Sequence, residues 1–393
     1  MRIATRWGLF APLVAAMLVT GCAHGPKAGP GLGGPVKKPT AATSLTLDPT
    51  RIRAGEDPLT GLDGYDADDL FALGYDAFQR EDLALSVLLY ERLIEEFPGD
   101  PNVLPARYNL GLALEKDGSL EEAMAAFQGY VDAAAQLLPQ EAAETLVRIA
   151  MLLQRLGRIE ESRAPLDRAL AETLLVLPER WEAQILYTVV TAAEGRFDRA
   201  EWNIKAIGRA LRKRSIRDGD RFPFQSAMMW YHVGVVFRMR AASHSLDRVD
   251  DLALLEKNLE MKARDLLEAR QHFKRCLKHM VAAWSGPAAL ALGGVYEDFR
   301  RDLLAAPKPS QLDAEHGGVY QELLEATTGR FLERAALDYR DVLRDAQRFQ
   351  LEVAWVMSIE DALARCEKLL AELSKAASPA GQESVPAETV EVP

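Results

Sequence analysis

Cysteine is scarce in this sequence, three residues in 393, and so small a number excludes a disulfide-stapled scaffold. Cys22 stands near the amino terminus, while Cys276 and Cys366 lie far apart on apolar helical faces and read as buried thiols rather than as a disulfide. Cations are outnumbered, 47 against 58 carboxylates, for a net charge of −11, which argues against a nucleic-acid partner. Beyond Cys22 no apolar run approaches the roughly 18 residues that a membrane-spanning helix needs. The signatures H-E-x-x-H, G-x-S-x-G and Gly-Lys-Ser/Thr are missing, so the residues assign no catalytic chemistry and no cofactor. What is present, 48% apolar and 27% charged residues, suits a large helical core.

The amino terminus has its own order. Arg2 and Arg6 precede an apolar stretch from Leu9 to Val19, too short to span a bilayer, and Val19-Thr20-Gly21 leads into Cys22. A secretory leader with a chance cysteine, or a single-pass anchor, would also accommodate these residues. The stretch resembles the bacterial lipobox. That resemblance implies a signal peptide over 1–21, acylation of Cys22 with palmitate-like chains, and, with Ala rather than Asp at 23, residence at the outer membrane facing the periplasm. Several acyl chains make such anchoring effectively permanent. Residues 22–64 are rich in Gly, Pro, Ala and Thr and are expected to form a disordered tether; 376–393 are expected to be a loose tail. Gly29, Gly31 and Gly34 match G-x-G-x-x-G in letters only, since no strand precedes them.

Between these ends the apolar pattern is helical and repeats. Small residues recur as Gly74, Gly111, Ala150 and Thr188, each followed twelve positions later by another, Ser86, Ala123, Ser162 and Ala200. Large residues follow four positions further on, Tyr90, Phe127, Leu166 and Ile204. Two antiparallel helices approach closely only where side chains are small, so the spacing predicts helix pairs. A generic helical bundle is the alternative. Downstream, Gly234 precedes Ala269, Phe273 and Cys276, and Gly293 precedes Ala335, Tyr339 and Val342, at spacings that imply insertions. Leu252–Met261 and Val319–Ala326 look helical themselves and are expected to lengthen the second helices. Ile359–Leu373 reads as a capping helix.

This pattern resembles the tetratricopeptide repeat, with Phe97-Pro98-Gly99-Asp100-Pro101 and Leu120-Glu121-Glu122-Ala123 as familiar forms of it. The resemblance implies an all-α solenoid of five to six helix pairs: four repeats over 65–215, two divergent ones over 216–350, and a cap over 351–375. It also implies a concave groove lined by the first helices. There it places Phe71, Tyr75, Phe78, Tyr108, Leu112, Met151, Gln154, Arg155, Tyr231 and Arg238, expected to form an exposed apolar strip for a protein partner. Family members that clamp a terminal carboxylate carry Lys and Asn where this chain has Phe71 and Tyr75, so helix or extended-peptide binding is expected instead.

Two further groups stand out. Arg209, Arg212, Lys213, Arg214, Arg217 and Arg221 are either the solvated end of a helix or a face for anionic headgroups or an acidic partner. His272, Cys276 and His279 share a helix face at a spacing a metal could use, but Cys276 holds a packing position, so no metal is expected. Scattered Asp and Glu read as solvated charge. The resulting expectation is a non-catalytic, outer-membrane-anchored scaffold binding protein partners of the cell envelope, with no small-molecule substrate. By resemblance, such lipoproteins serve secretin and pilus assembly, outer-membrane-protein assembly and gliding motility. A periplasmic accessory or enzyme acting at peptidoglycan is the alternative.

Overall fold

The computed structural model describes residues 64–218, 222–247, 251–308 and 314–377. The signal peptide, Cys22 and nearly all of the tether lie outside these residues, as do Arg221 and most of the expected tail. Among the described residues there are thirteen helices and no strand. They fall into two compact units that divide between His232 and Val233, inside a helix.

The first unit is four helix hairpins: α1 (Ala67–Gln79) with α2 (Leu83–Glu96), α3 (Val103–Asp117) with α4 (Leu120–Ala134), α5 (Pro139–Arg155) with α6 (Arg163–Ala171), and α7 (Glu179–Ala193) with α8 (Phe197–Asp218). The start of α9 (Pro223–Ser243) completes it. Local chemistry sets the boundaries. The Asp66 carboxylate accepts from the Asp69 amide at 2.9 Å and the Asp82 carboxylate from the Leu85 amide at 3.3 Å, each satisfying an orphan N–H of a first turn. Gly118, at φ +96°, closes α3 in the left-handed region. From α1 to α8 each helix packs on the next, and α1 also meets α3 and α5 meets α7, the pattern of stacked pairs.

The contact that closes a hairpin is sharper than a meeting of two small residues. A Cβ placed on Gly111 would stand 2.5 Å from the Phe127 ring, and one on Gly74 would stand 2.9 Å from that of Tyr90. The aromatic ring of the second helix therefore lies against bare backbone of the first. The small residue twelve positions on acts differently. Ser86 Oγ donates to the Gly74 carbonyl at 2.9 Å, tying the hairpin across its seam.

The second unit holds the rest of α9, α10 (Leu252–Leu277), α11 (Ala282–Ala305), α12 (Ala314–Arg344) and α13 (Val353–Ala377). The same lock recurs where the spacing placed it, with Gly234 against the Phe273 ring and Gly293 against that of Tyr339. The insertions lengthen the second helices as expected, and they do more. They lengthen both helices of each hairpin, to 21 and 26 residues in α9 and α10 and to 24 and 31 in α11 and α12. An extended second helix buries its apolar stripe only against an equally extended first one. Two-pronged pairs fix them, Arg240 on Asp265 at 3.0 Å and Arg270 on Asp338 at 2.6 and 2.5 Å. Helix α13 packs Ile359, Ala362 and Cys366 inward on α11 and α12, with Glu360, Asp361, Arg365, Glu367 and Lys368 outward. Cys276 and Cys366 are both buried and form no disulfide.

Candidate partner-binding face

The ten groove positions divide into two sets. Phe71, Phe78, Tyr108, Leu112 and Met151 are buried, which corrects the expected exposed apolar strip. Phe71 meets the Tyr90 ring edge-on at 5.8 Å, and Tyr108 packs on Phe127 at 5.6 Å and Tyr130 at 5.3 Å. For Phe71 and Tyr108 the reason lies in the glycine lock, which brings a large ring of the second helix beside the first and gives these side chains a neighbour to cover them. The others keep access to solvent. Tyr75 and Tyr231 are half-buried, Gln154 donates to Ser162 Oγ and to the Leu186 carbonyl at 3.0 Å, Arg155 donates to Glu115 at 3.1 Å, and Arg238 donates to Asp298 at 2.5 Å.

Behind this face runs a buried charged network in the first unit. Arg148 of α5 donates through Nε to Glu115 Oε2 of α3 at 2.7 Å and through Nη1 to the Tyr108 hydroxyl at 3.4 Å. Arg155 binds the other oxygen of Glu115. Glu144 accepts from Gln140 at 2.9 Å, and Glu182 of α7 accepts from Gln225 in the first turn of α9 at 2.6 Å. Glu115, Glu144, Arg148, Glu179, Glu182 and Gln225 are all buried, Glu182 completely. Burial, reinforced by the charges of Glu179 and Glu144, pushes the Glu182 carboxyl well above the ordinary carboxylate range against the pull of Gln225 and Arg148. Burial alone would lower Arg148; Glu115 and Tyr108 more than reverse it.

Closed to solvent, this network fixes the first helices to one another and leaves contact with a ligand to the residues in front of it. Sequence reading passed over it, taking scattered carboxylates for solvated charge. The signal was available: counted from the small residue of each unit, Glu144 and Glu182 hold the same early position on α5 and α7, and Glu115 a late groove position on α3. Elsewhere, Arg209, Arg212, Lys213, Arg214 and Arg217 lie on α8, and Cys22 and Arg221 lie outside the described residues. His272 stacks on Phe237 at 5.2 Å and Cys276 Sγ points to the Trp284 carbonyl at 3.6 Å, a packed arrangement for both.

Glycine lies under an aromatic ring in four hairpins, and the first two of them fall in or beside the stretch that a known family matches. Residues 71–137 match the tetratricopeptide repeat. The matched stretch spans α2, α3 and α4 with most of α1, so the match rests on this segment of helix hairpins. No curated relative matches the chain. Among solved structures it is similar to a tetratricopeptide repeat protein from Parabacteroides merdae, at 16% identity over 77% of this chain and 98% of that one, with a TM-score of 0.38. It is also similar to the human IFIT1 dimer with m7Gppp-AAAA, at 15% identity over 82% and 73% and a TM-score of 0.37. The TPR2AB-domain:pHSP90 complex of yeast Sti1 follows at 14% identity over 78% and 98%, with a TM-score of 0.26. Each of these likenesses is partial.

Proposed function

We propose that the chain is an outer-membrane lipoprotein, anchored through Cys22, whose repeats hold protein partners of a periplasm-facing envelope complex. The observation that carries the reading is the succession of locked hairpins, part of it matching the tetratricopeptide repeat. The amino-terminal sequence of lipobox form adds the anchor. No helix among the described residues is long and apolar enough to cross a membrane. Secretin or pilus assembly, outer-membrane-protein assembly and gliding motility are the machineries it fits. The partner meets the solvent-accessible part of the first-helix face, Tyr75, Gln154, Arg155 and Tyr231, while Arg148 and its neighbours hold that face in shape.

Two variants test it. Cys22→Ala should leave an unlipidated precursor outside the outer-membrane fraction, and normal processing of that variant would overturn the anchor. Tyr75→Ala combined with Arg155→Glu should lower cross-linking to the co-purifying partner about tenfold, as loss of an interface anchor does. Unchanged cross-linking with intact circular dichroism would move the binding site off this face.

A further inference from the structure

One face of α8 differs from the rest of the molecule. From Trp202 to Arg217 the helix carries Lys205, Arg209, Arg212, Lys213, Arg214 and Arg217 and no carboxylate, in a chain of net charge −11. At 3.6 residues per turn, Trp202, Lys205, Arg209, Arg212, Lys213 and Ile216 fall within about 100° of the helix circumference. All six are exposed, Trp202 by 67% and Ile216 by 82%. The opposite side, Ala200, Ile204, Ile207 and Leu211, is buried. Two carboxylates lie at the start of the helix: Glu201, which pairs with Lys205, and Asp198, one turn before Trp202.

Helix stabilisation does not account for this face. Cations favour a helix C-terminus only within its last turn, and Lys205 and Arg209 lie earlier. Trp202 and Ile216, the latter the most exposed large apolar side chain among the described residues, also stand on this face. Cations lying between two apolar side chains on one exposed stripe are the arrangement of a helix that rests on a membrane surface. Ammonium and guanidinium groups meet phosphate there, while indole and aliphatic side chains enter the headgroup boundary.

We propose that the outer face of α8 binds an anionic phospholipid bilayer, lying flat on it over the roughly 21 Å from Trp202 to Ile216. An acidic protein surface would meet the same cations. The wide separation of the two apolar contacts, with Lys205, Arg209, Arg212 and Lys213 between them on the stripe, favours a plane. The attraction acts within a Debye length of roughly 8 Å, so the local excess of cations outweighs the net negative charge of the whole chain.

The test uses the full chain with vesicles of phosphatidylglycerol and phosphatidylcholine carrying brominated acyl chains. The fluorescence quenching present in wild type and absent in Trp202→Leu reports contact at this face, whatever the amino-terminal segment does. That increment should appear with phosphatidylglycerol, weaken at about 0.5 M salt and vanish with phosphatidylcholine alone. The variant Arg209→Glu, Arg212→Glu, Lys213→Glu should lower affinity for the anionic vesicles on the order of a hundredfold, with circular dichroism unchanged. Equal quenching of wild type and Trp202→Leu overturns the proposal, and that measurement stands even if the charge variant misfolds. Salt-sensitive capture by polyglutamate without vesicle quenching also overturns it and assigns the face to an acidic protein.

Discussion

Nε of Arg148 stands 2.7 Å from Oε2 of Glu115, and both side chains are closed to solvent. The pair joins α5 to α3 across the α4 helix that separates them in sequence. Buried ions of this kind add less through attraction than their separation costs. Glu115→Ala should therefore destabilise by about 3–5 kcal/mol, because it leaves the Arg148 guanidinium buried without its carboxylate. Adding Arg148→Met should recover a large part of that loss. Urea denaturation of the single and double variants checks this, and strictly additive losses would refute the coupling.

Glu182 gives a pH dependence of known sign. Its folded pKa lies above the ordinary carboxylate value, so the stability tied to the neutral acid is complete below the unfolded pKa and is lost as pH rises through the folded one. Glu182→Gln keeps an acceptor for Gln225 and cannot ionise. Its melting temperature should exceed wild type at about pH 8 and match it at about pH 4. A variant less stable than wild type throughout that range would refute the buried-acid assignment.

His232 works in the opposite direction. Its ring is buried, with Nδ1 2.7 Å from the Met228 carbonyl, and burial lowers its pKa from 6.5 to about 4. Stability from this residue is present above the unfolded pKa and is lost as pH falls through the folded value. The loss amounts to about 3 kcal/mol between roughly pH 7 and pH 4. His232→Phe should flatten that part of the stability profile, measured by denaturant unfolding at stepped pH.

Adjacent glycines make the packing test selective. A Cβ on Gly293 would run into the Tyr339 ring, whereas one on Gly294 has its nearest neighbour at 3.8 Å. Gly293→Ala should destabilise by about 1–3 kcal/mol through overpacking. Gly294→Ala should be neutral or stabilising by up to about 1 kcal/mol, because alanine favours helix. The same melting temperature for both would contradict the seating of Tyr339. Gly111→Leu should be the most disruptive of the set, since Phe127 is itself wedged by Tyr108.

The hairpins were legible because their spacing is a steric rule: Gly74 and Gly111 appear where a helix must lose its side chain, and Tyr90 and Phe127 where a ring must replace it. Even the long gaps from Gly234 to Phe273 and from Gly293 to Tyr339 keep the rule. The groove was less legible. Position in a repeat tells which way Tyr108 points and leaves open what stands in front of it, and the Phe127 and Tyr130 rings do. Glu115, Glu144 and Glu182 escaped for the converse reason, since a carboxylate on a helix looks solvated until a neighbouring hairpin covers it. The exposure of Trp202 was equally invisible, because a lone tryptophan in an amphipathic helix reads as core.

The glycine–aromatic locks also set how far the chain must search for its own contacts. Gly74 and Gly111 find their rings sixteen residues away, whereas Gly234 reaches Phe273 across 39 and Gly293 reaches Tyr339 across 46. Closing the longest of these loops costs about 1 kcal/mol more entropy than closing the shortest. Contacts of greater sequence separation also form more slowly. The early hairpins are thus self-contained, each able to assemble as soon as its own two helices have left the ribosome. The later ones must wait for a longer stretch of chain, and in that interval the apolar stripes of α9 and α11 stand without cover.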